Sequence, residues 1–224
     1  MDVSHIAELL QPFLGESKLS AKTLDQLRLY LDLLLRWNAR VNLTAIRDPE
    51  QIVTRHFGES LFAAKVLGLH DRSAITVADV GSGAGFPGIP MKLWVPQIEL
   101  TLLESQNKKA VFLREVLRRL ELERAVVFCG RAENWGRKAE VVALRAVERF
   151  EHVLPVAAGL TEPKGRLCLL IGSGQMDLAR SLIGAEWTWR EPLPVPRSTR
   201  RVVAVARRLR LGEKGELSRI DVER

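Results

Sequence analysis

Ile75-Thr-Val-Ala-Asp-Val-Gly-Ser-Gly-Ala-Gly-Phe-Pro-Gly88 is the stretch on which the fold turns. Ile75, Thr76, Val77 and Val80 make a β-branched, apolar run with one acid, Asp79, near its end. Such a run predicts a buried parallel strand. The glycines at 81, 83, 85 and 88 predict a tight turn at its carboxyl end. Glycine takes positive φ without penalty, and without a Cβ it lets a ligand lie against the backbone. In open α/β sheets ligands bind at that edge.

Three ligand chemistries share this appearance. A P-loop needs Lys and then Ser or Thr after its last glycine; Ile89 and Pro90 follow Gly88, which excludes it. A dinucleotide turn is matched in letters by Gly83-Ala-Gly-Phe-Pro-Gly88. Pro87 and Pro90, however, fall where the pyrophosphate-binding helix begins, and each lacks an N–H donor. The third is the acid-x-Gly-x-Gly-x-Gly turn of S-adenosylmethionine enzymes, met by Asp79, Gly81, Gly83 and Gly85. That ligand carries a sulfonium, an ammonium and one carboxylate, so an acid among the glycines is favourable there and repulsive beside a pyrophosphate. A glycine turn without a ligand is the bland alternative.

A second apolar run, Ile98-Glu-Leu-Thr-Leu-Leu-Glu104, also ends in an acid. Glu104 lies about 20 residues beyond the glycines, the spacing of a carboxylate that accepts ribose hydroxyls. It supports a nucleoside ligand without choosing between NAD and S-adenosylmethionine. A third contact belongs after strand 125–129, in Gly130-Arg-Ala-Glu133. Glu133, beside a backbone N–H, can read adenine; an ordinary helix-start acid is the competing reading.

From residue 73 strand and helix patterns alternate: strands at 75–80, 98–103, 125–129, 139–144 and 166–171, helices near 88–94, 107–120, 146–159 and 175–183. This predicts an α/β fold, a mainly parallel sheet with helices on both faces. Runs at 187–192 and 201–206 predict a closing hairpin with an antiparallel edge. Residues 1–72 predict a helical N-terminal extension, 73–210 the α/β domain and 211–224 a charged tail. Within the extension Ser20 caps a helix carrying Leu24, Leu27, Leu31 and Leu34, preceded by a shorter helix that stops near Gly15. Trp37 to Pro49 predicts a loop with Arg40, Asn42, Thr44 and Arg47, and Asp48-Pro49 opens a helix bearing Arg55, His56 and Glu59. In helix 107–120 the cations Lys108, Lys109, Arg114, Arg118 and Arg119 predict a solvated face, with Val111 counted among the buried residues.

The 34 Lys+Arg against 27 Asp+Glu give a net charge of +7, which favours a polyanionic partner. Cys129 and Cys168 lie in strand-like runs and predict two buried thiols in a reducing cytoplasm. The apolar stretches are too short to span a bilayer. Histidines at 5, 56, 70 and 152 have no metal spacing, so no metal site is expected. A basic loop, Arg197-Ser-Thr-Arg-Arg201, is a second candidate RNA contact beside Arg40, Asn42, Arg47, Arg55 and His56. An NAD-dependent oxidoreductase and a non-enzymatic RNA-binding module remain the rival readings.

Asp-Val-Gly-Ser-Gly-Ala-Gly-Phe-Pro-Gly-Ile-Pro (79–90), Leu-Leu-Glu-Ser (102–105), Arg-Ala-Glu (131–133) and Arg145-Ala146 resemble the bacterial small-subunit ribosomal RNA guanine-N7 methyltransferases, the RsmG or GidB family. Trp37-Asn, Asn42-Leu-Thr, Arg47-Asp-Pro and Arg55-His56 are similar to that family's N-terminal segment. The resemblance implies a Rossmann-like class I S-adenosylmethionine-dependent methyltransferase with a helical N-terminal extension. It also implies methylation of one guanine in the decoding-region loop of 16S rRNA, within the small ribosomal subunit or its assembly intermediate, by a monomer. By position it assigns cofactor contacts to Gly81, Phe86, Ala132, Glu133 and Arg145. Ile171 and Leu144 depart from the family pattern, which often has lysine and serine there. Guanine N7 carries an exposed lone pair, so the implied reaction needs no general base.

Overall fold

The protein, seen in a computed structural model, is described over residues 1–71, 74–145 and 149–209. The tail at 211–224 and the expected boundary at 72 and 73 lie outside the described residues. The sheet strands are β1 (Thr76–Val80), β2 (Glu99–Glu104), β3 (Ala125–Cys129), β4 (Ala139–Arg145), β5 (Thr161–Gly172), β6 (Trp187–Trp189), β7 (Leu193–Pro194) and β8 (Arg201–Arg208). Their order is β3-β2-β1-β4-β5-β8-β6, with β7 pairing β8. The pairs from β3 to β5 are parallel, and β8 runs antiparallel to both β5 and β6. Helices α5 (Gly88–Trp94), α6 (Asn107–Arg119), α7 (Phe150–Gly159) and α8 (Met176–Ile183) connect them. The chain leaves β1 toward β2 and β3, then returns past β1 to β4 and β5. That reversal separates the loops leaving β1 and β4 and opens a crevice at their carboxyl ends.

The N-terminal helices close one side of this crevice. They are α1 (Val3–Leu14), α2 (Ala21–Val41) and a helical run made of α3 (Pro49–Ile52), a π-helical turn (Val53–Gly58) and α4 (Glu59–Val66). Ser20 Oγ accepts the Thr23 amide at 3.1 Å and Asp48 Oδ2 the Gln51 amide at 2.8 Å, so both helices begin on capped N–H groups. Ile6, Leu31, Phe57, Ile89 and Phe112 belong to one apolar cluster, which joins the extension to α5 and α6. The other sheet face packs Leu103, Leu144 and Leu169 in one cluster with Leu154 of α7 and Ala179 of α8. Where α1 crosses the π-turn the Phe13 ring lies directly on the Gly58 backbone: a Cβ on Gly58 would meet that ring at 2.6 Å.

Several expectations are corrected. The loop expected from Trp37 starts instead at Asn42, which ends α2 in the left-handed region at φ 52°. Trp37 packs on Phe112 at 5.6 Å, and that contact carries the helix through the polar residues after it. The last hairpin's first strand is broken into Trp187–Trp189 and Leu193–Pro194; Pro192 and Pro194 cannot donate to a ladder. Among described residues the helix expected at 146–159 runs Phe150–Gly159, and 146–148 lie outside the described set. Cys129 is exposed because it ends the edge strand β3, and only Cys168 is buried. Val111 faces solvent.

Candidate active site

Gly81, Gly83 and Gly85 all hold positive φ, at 67°, 57° and 94°. The turn they form is tied to the neighbouring strand: the amides of Gly81 and Ser82 donate to the Leu103 carbonyl at 2.9 and 3.1 Å. Glu104 completes the tie, its Oε2 accepting the Gly83 amide at 2.9 Å and its Oε1 the Gln106 amide at 2.7 Å. A Cβ on Gly83 would meet only the Gly81 carbonyl oxygen, at 3.8 Å, and would otherwise stand in open space. Gly85 differs. A Cβ there would collide with Ile89 Cδ1 at 2.5 Å and the Tyr30 hydroxyl at 2.6 Å. That glycine leaves room for Tyr30 of the N-terminal extension. The Tyr30 hydroxyl in turn donates to the Ala84 carbonyl.

Asp79 stands at the end of β1 beside the glycines, as expected, but beneath the turn. Its side chain is 0% exposed beneath the turn, with Oδ2 accepting the Gly88 amide at 3.0 Å and Oδ1 lacking a hydrogen-bond partner. Burial pushes its carboxyl up to about 7, against the opposing pull of the Gly88 N–H. Asp79 therefore shapes the turn and does not line the crevice.

A cavity of about 590 Å³ occupies the crevice, lined from the sheet side by Gly81, Gly83, Phe86, Glu104 and Arg145. Its far wall comes from the extension: Asn42, Leu43, Thr44, Ala45 and His56. A smaller cavity of about 160 Å³ shares Gly81, Ser105 and Val153 with it and holds Ala132 and Glu133. Thus Gly81, Gly83, Phe86, Glu104, Ala132, Glu133 and Arg145 line two adjoining cavities, whereas Asp79 and Gly85 lie behind them. Lys109, expected on the solvated face of α6, lines the cavity as well. Leu144 and Ile171 are buried in strands and line none of these cavities.

Phe86 anchors an aromatic stack. His56 lies over it at 4.6 Å and 20°, with Tyr30 and Phe57 stacked behind. His56 Nε2 meets Thr44 Oγ1 at 2.8 Å. Burial first, then the charges of Arg145, Arg201 and Arg55, push the imidazole down to about 2, so it is neutral at physiological pH. Arg145 is buried in an ion pair: its Nη2 donates to Glu59 Oε2 at 3.1 Å and to the Arg55 carbonyl at 2.8 Å. Burial lowers its affinity for a proton, and Glu59 opposes that shift.

The remaining candidate RNA residues divide. Arg55, Arg197 and Arg201 line a neighbouring cavity of about 370 Å³ that also includes Glu59. Arg200 is exposed in the same loop, and its backbone carbonyl accepts the Ser173 amide at 2.8 Å. Arg40 and Arg47 are exposed and line none of these cavities. Sequence reasoning missed Glu59, Lys109 and Tyr30 as parts of the site. A glutamate between buried residues on a helix face is the one signal that pointed to Glu59.

The GidB family profile, described as rRNA small subunit methyltransferase G, matches residues 23–182. The chain belongs to that family. A relative from Xanthomonas euvesicatoria pv. vesicatoria, named Ribosomal RNA small subunit methyltransferase G, is 40% identical over 190 residues, covering 81% of this chain and 87% of its own. Among solved structures, TrmN from Thermus thermophilus superposes with a TM-score of 0.57 at 17% identity, covering 70% of this chain and 53% of its own. A precorrin-6y C5,15-methyltransferase from Geobacter metallireducens superposes at 0.51 and 12% identity, covering 66% and 88%. The fold is therefore that of the class I S-adenosylmethionine-dependent methyltransferases, and in this chain N-terminal helices pack against it. Among the described residues no helix is long and apolar enough to cross a membrane.

Proposed function

We propose that this protein methylates N7 of a guanine in the decoding-region loop of 16S rRNA, acting as a cytoplasmic monomer on the small ribosomal subunit or its assembly intermediate. S-adenosylmethionine, when bound, supplies the electrophilic methyl group. The residues present fit that ligand. Glu104 keeps acceptor capacity for ribose hydroxyls beyond the two amides it already holds, since a carboxylate offers about four lone-pair positions. The open space over Gly83 lets a ligand lie on the backbone, and Ala132 and Glu133 sit in the adjoining cavity, where an adenine would be read.

The observation that carries the reading is the chemistry of the cavity wall. Its titratable side chains among the described residues are His56, Glu104, Lys109 and Arg145. His56 is neutral, Glu104 is held by two amides and Arg145 is paired with Glu59. No paired acid and base face the space. A guanine N7 lone pair needs none, so the work left to the protein is alignment, which can supply roughly 7–11 kcal/mol. The base must be unpaired or flipped out to reach such a cavity. A dinucleotide is disfavoured by the first amide of α5: the Gly88 N–H that a pyrophosphate would use is taken by Asp79.

The test is transfer of tritium from labelled S-adenosylmethionine to 16S rRNA or small subunits from cells lacking this protein, with the methylated atom mapped by base-specific strand scission. Label at guanine N7 is expected. RNA binding without transfer would leave only the RNA-binding module, and label at another atom would refute the N7 assignment.

A further inference from the structure

Glu59 joins two cavities through one atom. Arg145 Nη2 approaches its Oε2 at 3.1 Å from the crevice cavity, and Arg201 Nη2 approaches the same oxygen at 2.9 Å from the neighbouring one. Glu59 and Arg145 are nearly inaccessible, at 3% and 7% side-chain exposure, whereas Arg201 is at 21%. Two guanidinium groups share one carboxylate, so the junction carries an excess positive charge before Arg55 and Arg197 are counted. Arg201 has five N–H donors and spends one on Glu59, leaving others for the cavity. Ser198 and Thr199 line that cavity too, and Arg197 stands exposed at its rim.

The charge does not stay local. His56, on the wall of the crevice cavity, is held neutral in part by Arg145, Arg201 and Arg55 together. Any ligand in the crevice meets the same field. At neutral pH S-adenosylmethionine carries one net positive charge, through its sulfonium, ammonium and carboxylate. The demethylated product, a thioether, carries none.

We propose that the cavity framed by Arg55, Arg197 and Arg201 takes one phosphodiester of the RNA substrate, and that its occupancy favours the cationic methyl donor over the neutral product next door. The proposal rests on the methyl-donor reading above. A phosphate there adds the negative charge that the two arginines lack, so repulsion of the sulfonium falls while the thioether is little affected. Donor and RNA then assist each other reciprocally, and the product is released in preference once the sulfonium is gone.

The experiment is calorimetric titration of S-adenosylmethionine and of S-adenosylhomocysteine at low ionic strength, each with and without saturating short oligouridylate, which contains no guanine to methylate. The oligouridylate is expected to tighten the donor about 5-fold, a coupling at the low end of the usual range, with a clearly smaller effect on the product. Arg201→Gln is expected to erase the difference. Arg197→Gln, at an exposed position outside the ion pair, is expected to reduce it, which keeps the test sound if Arg201→Gln fails to fold. Equal tightening of both nucleosides, or a difference that survives in Arg201→Gln, overturns the linkage. Binding of both nucleosides with no response to oligouridylate overturns this proposal alone. Failure to bind either one overturns the methyl-donor reading beneath it.

Discussion

Gly83 and Glu104 are joined directly, the Gly83 amide donating to Glu104 Oε2 at 2.9 Å. The glycine turn after β1 and the tip of β2 are thus tied by protein groups alone, and one carboxylate braces both the Gly83 and the Gln106 amides. Glu104→Ala is expected to weaken S-adenosylmethionine binding by about 1–3 kcal/mol, through loss of a charge-assisted bond and release of the turn. Glu104→Gln should not restore affinity, because its amide would present a donor to one of two N–H donors. Calorimetry checks both variants.

Gly83→Val is expected to abolish nucleoside binding by placing a branched side chain in the open space above the turn. Its positive φ, 57°, adds a stability cost of roughly 1–2 kcal/mol for a residue with a Cβ. Circular dichroism melting beside calorimetry separates the two effects. Retained affinity would contradict the placement of the ligand over Gly83.

Glu59→Ala is expected to be the most destabilising change in the site, because it leaves Arg145 buried without its counter-charge. Removing one member of a buried pair costs about 3–5 kcal/mol. Glu59→Gln keeps an acceptor and should cost less. Urea denaturation measures the loss, and a midpoint unchanged in Glu59→Ala would show that Arg145 is solvated.

Asp79 gives a pH-dependent signature. Its carboxyl is pushed by burial to about 7 in the folded protein, from an ordinary value of 3.8. Between those values the unfolded chain releases a proton that the folded chain keeps, so this group's contribution to stability falls as pH rises through the window. Asp79→Asn removes the titration. The stability of the variant relative to the parent should therefore rise with pH across that interval, by up to about 4 kcal/mol. Urea denaturation at either end of the window checks it; a constant difference would place the Asp79 carboxylate in solvent.

Methyl transfer should show no bell-shaped pH profile. With His56 neutral and no acid–base pair on the cavity wall among the described residues, the single-turnover rate is expected to stay flat from about pH 6 to about pH 9, unlike that of an enzyme with a titrating catalytic base. A rate that falls tenfold per unit at the acid end would reveal a base.

How much of the site was legible depended on whether a residue acts through its backbone or through a distant partner. The glycine turn, Glu104 and the 131–133 segment were readable because β-strand periodicity and strand-end acids are local signals. The same pattern places Asp79 and Gly85 beside the glycine turn; in the structure Asp79 is buried on the Gly88 amide and Gly85 backs onto Tyr30 and Ile89. Nothing local distinguishes an acid that meets a ligand from one that meets the amide of Gly88. The basic residues were harder. Arg55, Arg197 and Arg201 come together from a π-turn and a distant loop, while Arg40 and Arg47, nearer the crevice in sequence, do not enter it.

What the sequence alone determined is the α/β alternation, the positions of the early strands along the chain and the chemistry of the turn, because hydrophobic period and glycine placement are set by neighbours a few residues apart. Only the tertiary structure decided that Glu59 is shared between Arg145 and Arg201, that Tyr30 and Gly85 touch, and that the helical extension forms the far wall of the cavity. Those relations join residues dozens of positions apart, and they follow from packing and shared charge, which exist only once the chain has closed on itself.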